Sequence, residues 1–496
     1  MISLIIFSLI LFRFLVVMRM HQIFVDRERE LSYLENVWGS DRAELIVVWG
    51  RRRVGKTRLL LEFSRNKKTL YLYVFHASES AILNFFTREV GKQLGVRFPP
   101  GYVFPDWNAF YQYLYECARD EKIVVILDEF QRLSDISPEA IELLQYWWDT
   151  AFRETRIKLF LVGSSIGMVE RIALSGSGPL FGRKTGSMKI KPLGFFDFIK
   201  AFNINDVEKL IELYSIFGGT PHYFIMIDTN KSVEGNIVEL VAAPYAPLRD
   251  EPEQLLRTEL RSLGIYMNIL EKIATSRNGI TVGDIASALN KSRSELYPYL
   301  IQLEKMDIIR RERRATDVLR EYRRARFRIA DNFIRFWFRF VYPNYPELEI
   351  GNYNIVIDHY RQERNDFISQ VFEDIVHEYI LKSSGKRIVD GLNREVLIPE
   401  IYRIGRWWWK NTEIDVCALS KDIIILGEVK WRNKPITKED ILSLITEKTE
   451  IFRRRTTLDK KIVYLVASKA GIEKSAQKLL EEIPSIVITL EQLRNL

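Results

Sequence analysis

The chain has 496 residues, 47% of them hydrophobic and 28% charged, with a net charge of +8 at neutral pH. That balance excludes a disordered or collagen-like chain, and the length allows about three domains. The two cysteines, Cys117 and Cys417, are far apart and lack metal-ligand spacing, which argues against a disulfide framework or zinc site and for a reducing, cytoplasmic compartment.

Met1 to Val17 is apolar apart from Ser3, Ser8 and Arg13. It is shorter than the roughly 20 residues of a membrane span, and it lacks a charged start and a small-residue cleavage site. Two readings are open: translation begins at Met18 or Met20, which makes residues 1–20 an artefact, or the segment is a membrane anchor.

Glu44 to Trp49 reads as a strand and Arg58 to Phe63 as a helix. Between them Gly50-Arg51-Arg52-Arg53-Val54-Gly55-Lys56-Thr57 completes the G-x-x-x-x-G-K-[ST] pattern. Glycines at both ends let the backbone curl its N–H groups toward phosphates, and the helix start adds a positive dipole end. The pattern assigns Lys56 to the β- and γ-phosphates of ATP and Thr57 to Mg²⁺. Ile123 to Leu127 is an apolar run, as a buried parallel strand requires, and it ends in two acids. Asp128 stands where a Mg²⁺-associated carboxylate belongs, and Glu129 where a base polarises the attacking water. Ile157 to Val162 is another buried strand, tipped by Ser164 and Ser165, and Ser164 is placed to sense the γ-phosphate. Arg183, in Pro179-Leu180-Phe181-Gly182-Arg183, is either an arginine finger acting on a neighbouring subunit or a surface arginine.

With these stretches the chain resembles archaeal P-loop ATPases of the signal-transduction and AAA+-like group. Phe24-Val25-Asp26-Arg27-Glu28-Arg29-Glu30-Leu31 and Gly218-Gly219-Thr220-Pro221-His222-Tyr223 add to the match. The resemblance implies that Gly219, Thr220 and Pro221 lie in a helical lid contacting nucleotide. It also implies Arg183 as the finger, and with it self-association. The expected fold is multidomain α/β, with a P-loop core over 21–195 and a lid over 196–262. Three prolines between Ala242 and Pro252 mark a linker.

Residues 263–345 read as a winged helix-turn-helix. Helices are expected at Tyr266–Thr275, Val282–Leu289 and Arg293–Met306, the last capped by Ser292, with strands at Ile308–Arg311 and Ala325–Ile329. Residues 266–345 hold 16 Lys and Arg against 9 Asp and Glu, nearly the whole excess charge. Arg310, Arg311, Arg313, Arg314, Arg320, Arg323, Arg324 and Arg326 would form a basic wing suited to nucleic-acid phosphates, with DNA favoured. The third helix presents Glu295, Gln302 and Glu304, which suits groove reading poorly, so a protein-interaction module is the other reading. Aromatic Phe333 to Tyr342 is expected as core.

Residues 350–496 read as a third domain in the order α, β, β, α, β, α, β. Glu428 and Lys430 are two apart on one strand and so face one side, toward Asp415 at the end of the preceding strand. Two carboxylates with a lysine suit a divalent metal and an oriented water at a phosphodiester. This arrangement resembles the PD-(D/E)xK nuclease superfamily, in which Asp415 and Glu428 would be metal ligands, Lys430 the catalytic lysine and Glu373 an auxiliary acid of the first helix. Glu-Ile-Asp stands where the family has Pro-Asp. The other readings are a structural ion-pair cluster or an inactive, binding-only domain. Trp407 to Trp409 could stack on bases, although alternation sends at least one to the core. The sequence thus points to an ATP hydrolase coupled to a nucleic-acid-binding winged helix and a metal-dependent nuclease, with no other small-molecule substrate. The alternative is a nucleotide switch that binds a partner without cutting.

Overall fold

The computed structural model describes residues 24–176, 178–260, 262–317 and 325–494. The leader, Met1 to Val17, and wing residues Arg320, Arg323 and Arg324 lie outside the described residues. Contacts divide the chain into two compact units, one of residues 24–192 with 220–222, the other of 193–219 with 223–494. No helix among the described residues is long and apolar enough to cross a membrane.

In the first unit, β1 (Glu44–Trp49), β2 (Thr69–Tyr73), β3 (Val124–Asp128), β4 (Lys158–Gly163) and β5 (Gly186–Lys189) form a parallel sheet in the order β2-β3-β4-β1-β5. Successive residues of a strand face opposite sides. Accordingly Leu45, Val47, Val125, Leu127, Leu159 and Leu161 enter one core with the helices Glu79–Leu94, Trp107–Asp120 and Pro138–Thr150. Ile46, Val48, Val124, Ile126, Phe160 and Val162 enter a second core with Leu34, Leu59, Leu60 and Phe63. A sheet buried on both faces explains the unbroken apolar runs. Because all five strands are parallel, the loops that follow β1, β3 and β4 emerge at one edge.

In the second unit, the helices Phe195–Ile199 and Val207–Phe217, expected as a lid, pack with the aromatic helical run that starts at Asn332: Phe217 stacks on Phe333, and Asn332 donates to the Tyr214 carbonyl at 3.0 Å. The proline-marked stretch is no bare linker. Leu248 is fully buried, and the Arg249 carbonyl accepts the Trp337 indole N–H at 2.5 Å. Three helices follow, Leu263–Ala274, Val282–Ala288 and Arg293–Lys305, the last two starting in capping boxes at Thr281 and Ser292. They accompany an antiparallel sheet in the order β6-β8-β7, with β6 Ile280–Thr281, β7 Ile309–Glu312 and β8 Arg326–Ile329. Phe333, Phe336, Trp337, Phe338 and Phe340 are buried, as their density predicts.

A 29-residue helix, Asn354–Lys382, then leads past a short hairpin, β9 (Arg387–Val389) and β10 (Glu395–Leu397), to a five-stranded sheet. In it β11 (Arg403–Trp409), β12 (Thr412–Leu419) and β13 (Ile423–Lys430) are antiparallel, while β14 (Lys461–Ser468) and β15 (Ser485–Ile488) are added parallel. The expected α-β-β-α-β-α-β order gains β11, which carries the three tryptophans. Trp407 is core, packed edge-on against Phe452, and Trp408 is buried beneath Arg326. Base stacking by these two is thereby corrected.

Four of the wing arginines also need correction as phosphate contacts. Arg310 bonds both oxygens of Asp374 at 2.8 and 2.6 Å, Arg311 pairs with Glu304, Arg314 with Asp317, and Arg326 with Glu413. Arg406 completes a buried network with Glu312 at 2.7 Å, Glu373 at 2.5 Å and Asp374 at 3.3 Å. Burial alone would raise the Glu312 carboxyl, but Arg406, Arg310 and Arg328 hold it down to about 2. The loop after β7 extends the junction: the Ala315 N–H donates to the Arg406 carbonyl at 2.9 Å, and Ala315 joins the core under β11. Removing one partner from such a network strands the others, so Arg406→Ala is expected to lower stability by about 3–5 kcal/mol in chemical denaturation. A change below about 1 kcal/mol would show that the acids are solvated without it.

Candidate functional site

The loop after β1 is shaped by backbone that few side chains tolerate. Gly50 has φ 148°, and a Cβ there would stand 2.3 Å from the Ile190 carbonyl oxygen; Gly55 has φ 94°. Lys56 is buried and folds its ammonium back onto the loop, donating to the carbonyls of Gly50 at 2.7 Å and Arg51 at 2.9 Å. Arg51 donates to the Thr220 hydroxyl at 2.8 Å, and Pro221 Cγ lies 3.8 Å from where a Cβ on Gly55 would stand. Residues 220–222 therefore border the loop. Gly219 belongs to the second unit, where its carbonyl accepts the Leu193 N–H at 2.8 Å. Arg53 is exposed, Arg52 half-buried, and the Val54 side chain is core, so Val54 can offer a ligand only its backbone. Arg27 clamps the loop from outside, donating to the carbonyls of Val54 at 3.1 Å and Lys191 at 2.6 Å.

The acids at the end of β3 meet this loop. Thr57 Oγ1 donates to Asp128 Oδ2 at 2.6 Å, and the Tyr71 hydroxyl donates to the same oxygen at 2.9 Å. Burial raises the Asp128 pKa, while these two hydrogen bonds and Lys56 oppose the rise. Glu129 sits in the left-handed region at φ 56°, a conformation that a non-glycine residue adopts at a cost and that recurs at functional sites. Its Oε2 accepts from Ser164 at 2.8 Å and from Gln131 at 2.6 Å. Ser164 is thereby joined to the site through Glu129. Tyr71 and Gln131 were missed in the sequence. Tyr71 reaches Asp128 only because β2 pairs with β3, and no local pattern announces that. Arg183 is tied inside its own chain, with Nη2 2.6 Å from Asp149 and Nη1 donating to the Pro179 carbonyl at 3.0 Å.

In the second unit the last β12–β13 pair is Val416 with Gly427; the next residues outward are Asp415 and Glu428. Here the strands part. Asp415 Oδ2 takes the Val429 N–H at 2.9 Å in place of a ladder bond, and His377 Nε2 donates to the Asp415 carbonyl at 2.8 Å. Glu428 is held at one oxygen by Lys430 and at the other by Lys448 at 2.6 Å. Burial, then Glu428 and Glu373, push Asp415 well above the usual carboxylate range. Glu373, Asp415 and Lys430 line one cavity of about 520 Å³; Glu428 is not among its lining residues but is bonded to Lys430, which is. Among the described residues no group of three or more His, Cys, Asp or Glu side chains is placed to hold a metal ion.

Residues 24–227 match a family described as an ATPase domain predominantly from Archaea, and residues 337–443 match one described as archaeal and bacterial proteins of unknown function. An uncharacterized protein of Methanocaldococcus jannaschii is 33% identical over 413 residues, which is 83% of this chain and 88% of that protein. The chain belongs to this archaeal ATPase family. An uncharacterized ATP-binding protein of the same organism is 48% identical over 52 residues, 10% of this chain and 88% of its own length. Among solved structures, a Walker-type ATPase of Pyrococcus abyssi aligns with 64% of this chain and 96% of its own, at 19% identity and a TM-score of 0.45. The parallel α/β unit lies within the residues that match the ATPase family, and it is the P-loop core of an ATP-binding ATPase.

His222 gives this ATPase unit a pH dependence. Burial, with Arg53 adding to it, lowers the imidazole to about 4 from 6.5. The unfolded chain then binds more protons between these values, so stability is full above pH 6.5 and falls as the pH drops toward 4. His222→Gln is expected to flatten that stretch of the curve in thermal melts taken across this range; an unchanged slope would mean that His222 is already solvated.

Proposed function

We propose that this archaeal ATPase couples Mg²⁺-dependent ATP hydrolysis to metal-dependent phosphodiester cleavage in its C-terminal domain. The accompanying division is an ATPase core to residue 195, a lid over 196–262, a winged helix over 263–345 and a nuclease-like domain from 350. The observation that carries the second half is the convergence of Glu373, Asp415 and Lys430 on one cavity, with Glu428 bonded to Lys430 where β12 and β13 part.

In the core, the phosphates of ATP replace the loop carbonyls as partners of Lys56, while Gly50 to Thr57 turns its N–H groups to them. Thr57 and Asp128 are hard oxygen donors already 2.6 Å apart, a set that fits Mg²⁺. The ion, when bound, neutralises charge developing on the phosphates. Glu129, fixed by Ser164 and Gln131, orients and polarises the attacking water, and Ser164 links that carboxylate to the γ-phosphate. Arg183 serves a neighbouring copy as a finger once Asp149 releases it.

In the C-terminal domain, Asp415 and Glu428 offer two carboxylates, a donor set that suits a Mg²⁺ keeping most of its waters, since that ion takes only one or two carboxylates from a protein. Asp415 keeps an oxygen without a hydrogen-bond partner among the described residues, and Lys430 must exchange Glu428 for the water or the phosphate. The metal would supply charge neutralisation at the scissile phosphate. A second reading, a nucleotide switch that binds without cutting, is favoured by the two lysines on Glu428.

Lys56→Ala is expected to abolish phosphate release. Glu129→Gln should keep ATP binding while turnover falls about 10²–10⁴-fold; unchanged turnover in either would sink the assignment. Asp415→Ala and Lys430→Ala are expected to abolish cleavage of DNA or RNA in Mg²⁺ or Mn²⁺. Wild-type protein that leaves every strand intact in both metals would leave the switch reading in place.

A further inference from the structure

The cavity beside Asp415 has walls from both parts of the second unit. The turn after Leu263–Ala274 supplies Arg277 and Asn278, β8 supplies Arg328, and β13 and its continuation supply Lys430 and Trp431. Two wall donors stand out. The Trp431 indole N–H and Arg328 Nη1 have no hydrogen-bond partner among the described residues, although the two side chains belong to residues only 4% and 7% exposed. Buried donors are nearly always satisfied, so these two are available to an acceptor that enters the polar cavity.

The mouth is built as firmly as the wall. The Arg277 carbonyl accepts from Gln370 at 2.5 Å and from Arg328 at 3.4 Å, and the Asn278 carbonyl accepts from Arg326 at 3.1 Å. Gly279, at φ 76°, brings the turn so close to β8 that a Cβ would lie 3.1 Å from both Arg326 Cβ and Arg328 Cγ. The Arg277 backbone is therefore fixed over the cavity, whereas among the described residues its side chain is held only by an exposed ion pair with Asp366 at 3.2 Å. Such a pair is weak and easily exchanged for a phosphate.

We propose that this cavity receives one nucleotide of a single-stranded nucleic acid, with Arg277 and Arg328 meeting its phosphate and the Trp431 N–H an acceptor of the same nucleotide. The proposal rests on the nuclease reading of Asp415, Glu428 and Lys430 for the identity of the ligand. A volume of about 520 Å³ lies in the range of small-ligand pockets, about 300–1,000 Å³, and cannot admit a duplex. A base reaches such a pocket only from a single strand or after leaving the stack. The winged-helix segment thus takes part in substrate selection through its Arg277 turn.

The test uses full-length protein in EDTA, with fluorescence anisotropy of a labelled single-stranded DNA, the same strand as RNA, and a hairpin-closed duplex. Both single strands, or one of them, are expected to bind more tightly than the duplex, and the two arms separate DNA from RNA. Arg277→Ala is expected to weaken single-strand binding about tenfold or more, Trp431→Phe to weaken it less, and Arg277→Lys to restore part of the loss. The unfolding midpoint of Arg277→Ala should match wild type, since the side chain is exposed. Asp415→Ala should stop cutting. A wild-type protein that cuts, with Arg277→Ala binding as wild type or with duplex preferred, overturns the cavity proposal alone. Single-strand binding lost in Arg277→Ala, in a protein that never cuts, upholds the cavity and overturns the nuclease reading.

Discussion

A charge taken out of water needs a partner, and that requirement organises both units. Asp128 is buried at the end of β3 and is tolerable there because Thr57 and Tyr71 donate to it. Those donors come from the start of the helix that follows the β1 loop and from β2, so one carboxylate ties β2 and β3 to the segment after β1. Lys56 obeys the same rule from the other side: its ammonium rests on the loop carbonyls. The arrangement holds the loop in shape without ligand, and on the proposed reading these partners would be exchanged for a phosphate and a cation when ATP arrives.

The second unit meets the same requirement mainly with side-chain acids. Arg406 is shared by Glu312, Glu373 and Asp374, and Arg310 takes both oxygens of Asp374. These residues come from β7, the long helix and β11, so the network fastens the three-helix segment to the C-terminal sheet. It also holds Glu373 at the cavity by one oxygen. Replacing such a network with apolar side chains is often neutral or stabilising, so its presence speaks for geometric specificity more than for added stability.

The readable parts of this chain were those in which function or fold is local in sequence. Gly50 to Thr57 is contiguous, Asp128 and Glu129 close an apolar run, and Ser292 caps a helix three residues before Glu295. The boundaries of the three helices near residues 263–305 followed from spacing to within a few residues. What stayed hidden depends on partners far along the chain. Arg310 and Arg326 looked like a basic wing because Asp374 and Glu413 are 64 and 87 residues away. Tyr71 looked like any strand residue until β2 was paired with β3. The tryptophans of β11 could not be assigned to core or surface without the register, which places Trp407 opposite Ile414. Proline spacing suggested a linker at 242–252 because it reports local conformation and is blind to burial of Leu248.

The excess positive charge therefore carries a different meaning from the one composition suggests. A net +8 reads as an external field that attracts nucleic acid at long range. Yet Arg310, Arg326, Arg328 and Arg406 face acids inside the second unit, where their field is cancelled within a few ångströms. A buried arginine contributes to recognition only where a donor is left over and a cavity leads to it. Arg328 meets both conditions: it pairs with Glu312 through Nε, keeps Nη1 without a partner among the described residues, and lines the cavity beside Lys430. On the proposed reading of the cavity, recognition in this unit would rest on short-range donor geometry, selective for the shape of a strand and weakly dependent on its length.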